Sequence, residues 1–542
     1  MNFIHNNINT SNNRPTNGQF TFNGQVTGLP LADFMAGILS GGFVQGNPIF
    51  DNQRQNYIGV YAQDSWKLNP RLTINGGVRW EPYLPMEHPF GWVSHFDQAA
   101  FVAGAKSAVY KNAPAGLSFP GDAGYPGKST TFGRKAQFAP RLGLVFDPKG
   151  DGKMTARASY GIFYDNPHLF FNTRFANNPP WGAQITLSNP AGGLTTPYQT
   201  YPGGNPFPGL ANISADSFFP LAGVYVNAPF DIKPTYLQQW NLSVQRQVGE
   251  WLFAGSYLGN KSTHLWTGRE ANAAVFGAGA TLGNTNQRRV LYLLNQTQGQ
   301  FYGTIGEIDD GGASSYNGML LSAQRRLANN FSVLANYTLS HCVSDPATTE
   351  ITGPTYVNPN NRRADRANCD SDRRHVVNVS FVARTPQFAN RALNLIASGW
   401  QLSGIVRAQS GNYSTVTTGV DNALTGVGGQ RAVQLLADPY DANRSVGHYL
   451  NRAAFGAPAA GTYSSLGAFT ILNPSSLQID TGLSRTFRVL EGQSIQFRWE
   501  VFNVPNRLNA NAPVTALNNA TFGRILSAQD PRIMQFALKY VF

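Results

Sequence analysis

The sequence predicts an all-β fold, an antiparallel transmembrane β-barrel with long extracellular loops and short periplasmic turns. Three observations predict it. Residues 532–542, RIMQFALKYVF, place Met534, Phe536, Leu538, Tyr540 and Phe542 on one face, and Ile533, Gln535, Ala537, Lys539 and Val541 on the other. Successive side chains of a strand point to opposite faces, and a tilted strand of about 9–11 residues spans a bilayer. The same alternation recurs upstream, with connections long and short in turn, which is how a barrel with unequal rims is built. No stretch reaches the roughly 18 apolar residues that a helical span requires.

Composition agrees. Only 13% of the 542 residues are charged, against about a quarter in soluble domains. Low charge without helical spans suits a wall that meets lipid outside and water inside. The net charge is +12, but Lys and Arg are scattered. No basic face forms, so a nucleic-acid partner is excluded. Acidic headgroups of outer-membrane lipid and lipopolysaccharide are the natural counterpart of such a charge. Cys342 and Cys369 sit in one loop-like segment without zinc-type spacing, which favours a disulfide over two free thiols. A disulfide would place the segment in an oxidising compartment.

In chain order, residues 19–28 read as a short aromatic strand and 31–39 as a short helix in a rim loop. Residues 57–66 form the next strand, turned by Asn69-Pro70. The strand after it puts Leu72, Ile74, Val78 and Trp80 on one face and Arg71, Thr73, Asn75, Arg79 and Glu81 on the other. A long loop runs to about Ala136, and strands over 142–146 and 154–164 are joined by DPKGDG. Strands over 236–248 and 251–260 turn at Gly249-Glu250, and those over 316–326 and 331–340 turn at LANN. Residues 377–381, 400–408, 477–487, 495–502 and 532–542 complete about 14 strands. An even number leaves the last one running inward, ending in the periplasm.

Several blocks carry a resemblance. They are GQFTFNGQVTGLPLADFMAG, YIGVYAQDSWKLNPRLTINGGVRWEPY, FAPRLGLVFDP, ARASYGIFYD, NRRADRANCDSDRRHVVNVS and FRWEVFNVPNRLN. Together they resemble the C-terminal barrel of TonB-dependent outer-membrane receptors, specifically the Oar-like group. The resemblance implies the cell outer membrane, a 22-stranded barrel closed by an N-terminal plug, and uptake of a substrate whose identity the loops do not reveal. It implies a TonB complex as partner of the intact protein. The barrel assembly machinery would meet the closing strand carrying Phe536, Tyr540 and Phe542. Residues 1–542 show no TonB box, plug or carboxypeptidase-regulatory-like sandwich. Their start, MNFIHNNINTSNNRPTNG, has neither a charged nor an apolar signal region. The chain is therefore expected to be the C-terminal part of such a barrel, about 14 strands of 22. The alternative is an Oar-type structural or adhesive surface barrel without uptake. A soluble multi-sheet carbohydrate-binding protein is a third reading.

Other motifs read as structure. PGKST lacks the first glycine of a phosphate loop, since Asp122 stands there. DPKGDG lacks the acid and closing Glu of a calcium loop and reads as a hairpin turn. EIDDGG, on the long-loop side, leaves adventitious calcium open. Asp365, Asp370 and Asp372 alternate with Arg362, Arg363, Arg366, Arg373 and Arg374, an expected ion-pair network over the rim, with ligand or cation contact as the alternative. Arg71, Arg79, Glu81, Arg157, Arg498 and Glu500 are expected to face the lumen, pairing across strands or meeting the plug. Trp181, Tyr198, Tyr201, Tyr413 and Tyr463 are loop aromatics that pack the loops or present faces to sugars or peptides. The dispersed histidines form no catalytic pattern, so no catalytic residue and no cofactor are expected.

Overall fold

The computed structural model describes every residue except 13–14, 23–26, 28, 40–41, 167–172, 188–189, 208–212, 329 and 347–354. Its main element is a 16-stranded sheet, and fourteen of its strands follow one another in chain order. They are β1 (Asn2–Asn12), β2 (Ile49–Asn69), β3 (Leu72–Trp80), β4 (Phe138–Phe146), β5 (Met154–Tyr164), β6 (Tyr236–Val248) and β7 (Trp251–Glu270). The path continues through β8 (Tyr302–Ala328), β9 (Phe331–Ser344), β10 (His375–Arg384), β11 (Trp400–Gln409), β12 (Ser476–Leu490), β13 (Gln493–Phe502) and β14 (Ile533–Val541). All neighbours along the path are antiparallel. The family of folds predicted from the sequence is the one observed.

The register separates two faces. Ile74 pairs with Leu144, Leu144 with Ala158, Ala158 with Leu242, Leu242 with Tyr257 and Tyr257 with Met319. Further round, Leu483 pairs with Trp499 and Trp499 with Phe536. These rows are the lipid face, and they stand open in the isolated chain, Leu538 at 76%. The row beside them runs Asn75, Gly143, Ser159, Asn241, and it lines the lumen. A strand period of two therefore sorts lipid from water without any buried core in the wall.

The first strand departs from the expectation. Of residues 19–28, only Gln19–Thr21 is strand, in a small separate sheet, and 23–26 and 28 lie outside the described residues. The wall instead begins with β1, which pairs with Ile49–Gly59 at the upper end of β2. Its sequence, NFIHNNINTSN, is too polar to read as a membrane strand. It can be so because the part of β2 that it covers lies on the loop side of the wall. The number of path strands agrees with expectation, but one of its members does not.

Another difference concerns height. The strand expected over 316–326 instead begins at Tyr302. Thus β7 has 20 residues and β8 has 27, about twice what a bilayer crossing uses. Bulges fall at His264, whose φ is +55°, and at Trp266, where β7 leaves the wall. A bulge bends and twists a strand, so the hairpin can rise above the rim as a mast. Gly223–Asn227 adds to it in parallel beside Tyr302–Glu307.

Short connections lie on one rim, at 70–71, 147–153, 249–250 and 491–492, and between the ends of β8 and β9. Asp147 accepts from the backbone N of Lys149, Gly150 and Gly152, which closes the DPKGDG turn. These bonds stabilise its charged form and hold the carboxyl below its usual range. The remaining connection on this rim, 385–399, carries a helix, Arg391–Ala397. The seven connections on the other rim are long, and they hold the hydrophobic core. Its four clusters are built from loops and upper strand ends, around Phe119 and Trp181, Phe175 and Trp266, Val416 and Phe455, and Phe43 and Tyr198. Among the described residues β1 and β14 each pair on one side, so the sheet path has two open edges.

Candidate functional site

Two places can meet a solute, namely the lumen wall and the loop layer above it. On the wall, Arg79 Nε lies 2.9 Å from Glu81 Oε2. Arg79 Nη2 donates to the Tyr57 hydroxyl at 2.8 Å, and that hydroxyl donates to Glu81 at 2.7 Å. The guanidinium needs room to lie flat along β2, and Gly59 supplies it. A Cβ there would stand 2.0 Å from Arg79 Nη2. Beside this triad is a recess of about 900 Å³ lined by Tyr61, Gln63, Asn75, Arg141, Phe163 and Gln239, with Gly77, Gly143 and Gly161 deepening it. Arg141 sits over the Phe163 ring at 4.5 Å, an arrangement that attracts a cation to a π face.

The other expected lumen residues fall as follows. Arg157 is opposite Ser243 and donates to Gln245 at 3.2 Å, on the same face of β5 as Ser159. Arg498 and Glu500 pair at 2.5 Å on the face of β13 opposite to Trp499, across from Ala537 and Gln535 of β14. Arg71 is not on the wall. The strand starts at Leu72, and Arg71 is exposed in the turn, where its backbone N–H donates to Asn69 Oδ1. Its carbonyl accepts from Asp147 N, tying two turns of the short-connection rim together. On β14, Phe536 stacks on Trp499 at 5.9 Å, and the Tyr540 hydroxyl donates to Gln493 at 2.7 Å. Phe542 follows the strand and is 92% exposed.

The loop layer is a folded layer. Cys342 and Cys369 are disulfide-bonded with Cα atoms 5.4 Å apart. Cys342 lies on β9, where a loop position was expected. The acids and bases around them reach outward rather than pairing among themselves. Asp365 pairs with Arg431, both 6% exposed at the side chain. Arg362 pairs with Asp309, whose Oδ2 also accepts from the Tyr356 hydroxyl at 3.2 Å. Arg366 pairs with Asp345 at 3.2 Å. Asp372 accepts from Cys342 N at 2.8 Å and faces His341 Nδ1 at 3.3 Å. The first two bonds join this connection to another loop and to the mast, and the others fasten it to itself and to the upper end of β9.

Glu307 and Asp309 of the EIDDGG motif lie on β8, and Arg269 and Arg362 answer them. Glu307 also accepts from the Asn227 amide at 2.7 Å. Lower on the same layer, His95 stacks on Phe230 at 3.8 Å and its Nδ1 donates to Ala228 O at 3.0 Å. Burial pushes the His95 imidazole below its ordinary pKa. Trp181 and Tyr198 are buried in two of the clusters, so they hold loops together and present no free face. Tyr201 packs on one of them, and Tyr413 and Tyr463 are half-buried. The PGKST segment is a turn in this layer, with Ser129 and Thr130 buried.

Residues 1–535 match the family model described as outer membrane beta barrel domain. The chain belongs to that family. It is therefore an outer-membrane β-barrel protein, and the two rims are the extracellular and periplasmic ones. No curated protein matches the sequence. Solved structures align at low identity. The ferripyoverdine receptor of the outer membrane of Pseudomonas aeruginosa, bound to ferripyoverdine, aligns at 11% identity and TM-score 0.43, over 91% of this chain and 40% of that one. The outer membrane transporter YddB from Escherichia coli aligns at 10% and 0.42, over 92% and 55%. BauA, the ferric preacinetobactin receptor from Acinetobacter baumannii, aligns at 10% and 0.41, over 92% and 44%. The chain thus spans between two fifths and just over half of each of these proteins.

Proposed function

We infer that this barrel is the C-terminal part of a TonB-dependent receptor of the Oar-like group, taking up a substrate across the outer membrane. The observation that carries the reading is the recess under the loop layer. A solute that enters between the loops meets a lumen wall carrying Arg79, Arg141, Tyr61 and Phe163, groups that bind polar or aromatic matter in passing. The quoted sequence blocks support the Oar-like assignment. The open edges of β14 and of Val60–Asn69 in β2, which β1 does not cover, support a longer protein, because unpaired strand edges in hydrocarbon leave backbone groups unsatisfied at several kcal/mol each. Further strands would cover β2 below β1 and the free side of β14, and a plug would meet the lumen charges.

The test starts from the natural polypeptide, isolated from outer membranes with a binder to the loop layer. Its N-terminal sequence should contain a plug and an energy-coupling segment, and the periplasmic domain of TonB should retain it. A polypeptide that lacks both and adheres to matrix would overturn uptake in favour of an adhesive surface barrel.

A further inference from the structure

We propose that the Arg391–Ala397 helix is an interfacial anchor, lying in the periplasmic leaflet with phospholipid as its occupant. The inference rests on the lipid face of the wall and not on substrate uptake. Among the described residues it is the only helix on the short-turn rim. Asn390 caps it, accepting from Ala392 N at 3.0 Å and Leu393 N at 3.1 Å. At 3.6 residues per turn, Arg391 and Asn394 fall on one side, Leu393 and Ile396 on the other, and Leu395 lies at the flank beside Arg391.

The polar side turns toward its own loop. Asn394 Oδ1 accepts from Ser398 Oγ at 2.6 Å and from Phe388 N at 3.2 Å. The apolar side and its flank are left open, with Leu393 at 54%, Leu395 at 74% and Ile396 at 71% exposed. Its position says what covers it. Trp400 and Arg485 are a cross-strand pair on the lipid face. The Trp400 indole N–H donates to Ile396 O at 2.9 Å. Arg485 donates to the same carbonyl at 2.7 Å and also to Leu395 O. The Arg485 guanidinium in turn lies 4.6 Å over the Phe487 ring, one more residue of the lipid face.

The C-terminal turn of the helix is therefore fastened to the outside of the wall and not beneath the lumen. Its three open side chains continue the lipid belt at the depth where headgroups meet acyl chains. Arg391, exposed on the polar side, faces the level of the phosphates. Short amphipathic helices with this division lie flat at such an interface.

The full chain is reconstituted in vesicles of phosphatidylethanolamine and phosphatidylglycerol, with the native disulfide left oxidised. An environment-sensitive fluorophore is placed at Leu395→Cys, and in a second variant at Ile396→Cys. Lys149→Cys, in the DPKGDG turn, is the aqueous control. Nitroxide lipids labelled near the headgroup should lower emission from both helix variants by about twofold or more, while aqueous iodide should act mainly on the control. Iodide quenching of the helix labels, with no effect of nitroxide lipid, would overturn the proposal. So would shielding from both quenchers, which would mean that protein covers the helix.

Discussion

The wall and the loop layer of this protein are stabilised in opposite ways. The wall has backbone ladders and no dry core, and its apolar residues point outward to lipid. The layer has short, irregular backbone, and its apolar residues point inward at Phe119, Trp181, Tyr225 and Tyr302, all 3% exposed or less. Burial raises the phenols of Tyr225 and Tyr302 far above their usual range. The difference teaches that the molecule is amphipathic twice over. Its membrane part needs lipid to satisfy its outer face, whereas its extracellular part folds as a water-soluble domain would.

The comparison can be broken by substitution. The largest effect is expected from Arg431→Ala, which leaves Asp365 charged and unpaired among loops. It should cost about 3–5 kcal/mol of local stability. Proteolysis should then cut the loop layer while the wall keeps its resistance to heat and detergent. Loss of the wall as well would show that the two regions are not separable.

Next, Leu538→Arg places a charge on the lipid face near mid-strand, and urea titration in vesicles should show a loss of about 2–4 kcal/mol. Ala537→Gln, one residue away on the lumen face, should change little. Equal losses would mean that the register of β14 assigns the faces wrongly. Replacing both Cys342 and Cys369 by serine should lower loop protection against hydrogen exchange by about 2–4 kcal/mol, with the wall unaffected.

The smallest effect concerns pH. His95 has a folded pKa below its unfolded value. Its contribution is therefore full above the unfolded pKa of about 6.5, and is lost as pH falls from there toward the folded value. Exchange at Phe96 and Phe230 should quicken on acidification through that window. His95→Gln should flatten the response, and an unchanged response would exclude His95 as its source.

The sequence made the wall legible because a period of two survives inspection residue by residue. Leu72, Ile74, Val78 and Trp80 declare their face without any knowledge of partners. It failed at β1, whose Asn-rich strand pairs above the membrane and so lacks the apolar signal. It also failed at the mast, where EIDDGG looks like a turn but is held straight by Arg269 and Arg362 from other segments. The loop layer was illegible for the same reason. Asp365 and Arg431 stand 66 positions apart, and nothing local in either marks the other. Residues such as Trp181 were noticed as aromatic, but only packing shows that they are interior. At Arg71, alternation was read one residue past the true end of the strand.

The mast has a consequence for reagents. About nine residues of β7 beyond the bilayer raise the layer by roughly 30 Å at 3.3 Å per residue. What a cell presents outermost is then a rigid, discontinuous surface assembled from distant segments. Sera raised against linear loop peptides should miss the intact bacterium, and binders selected on the folded barrel should label it.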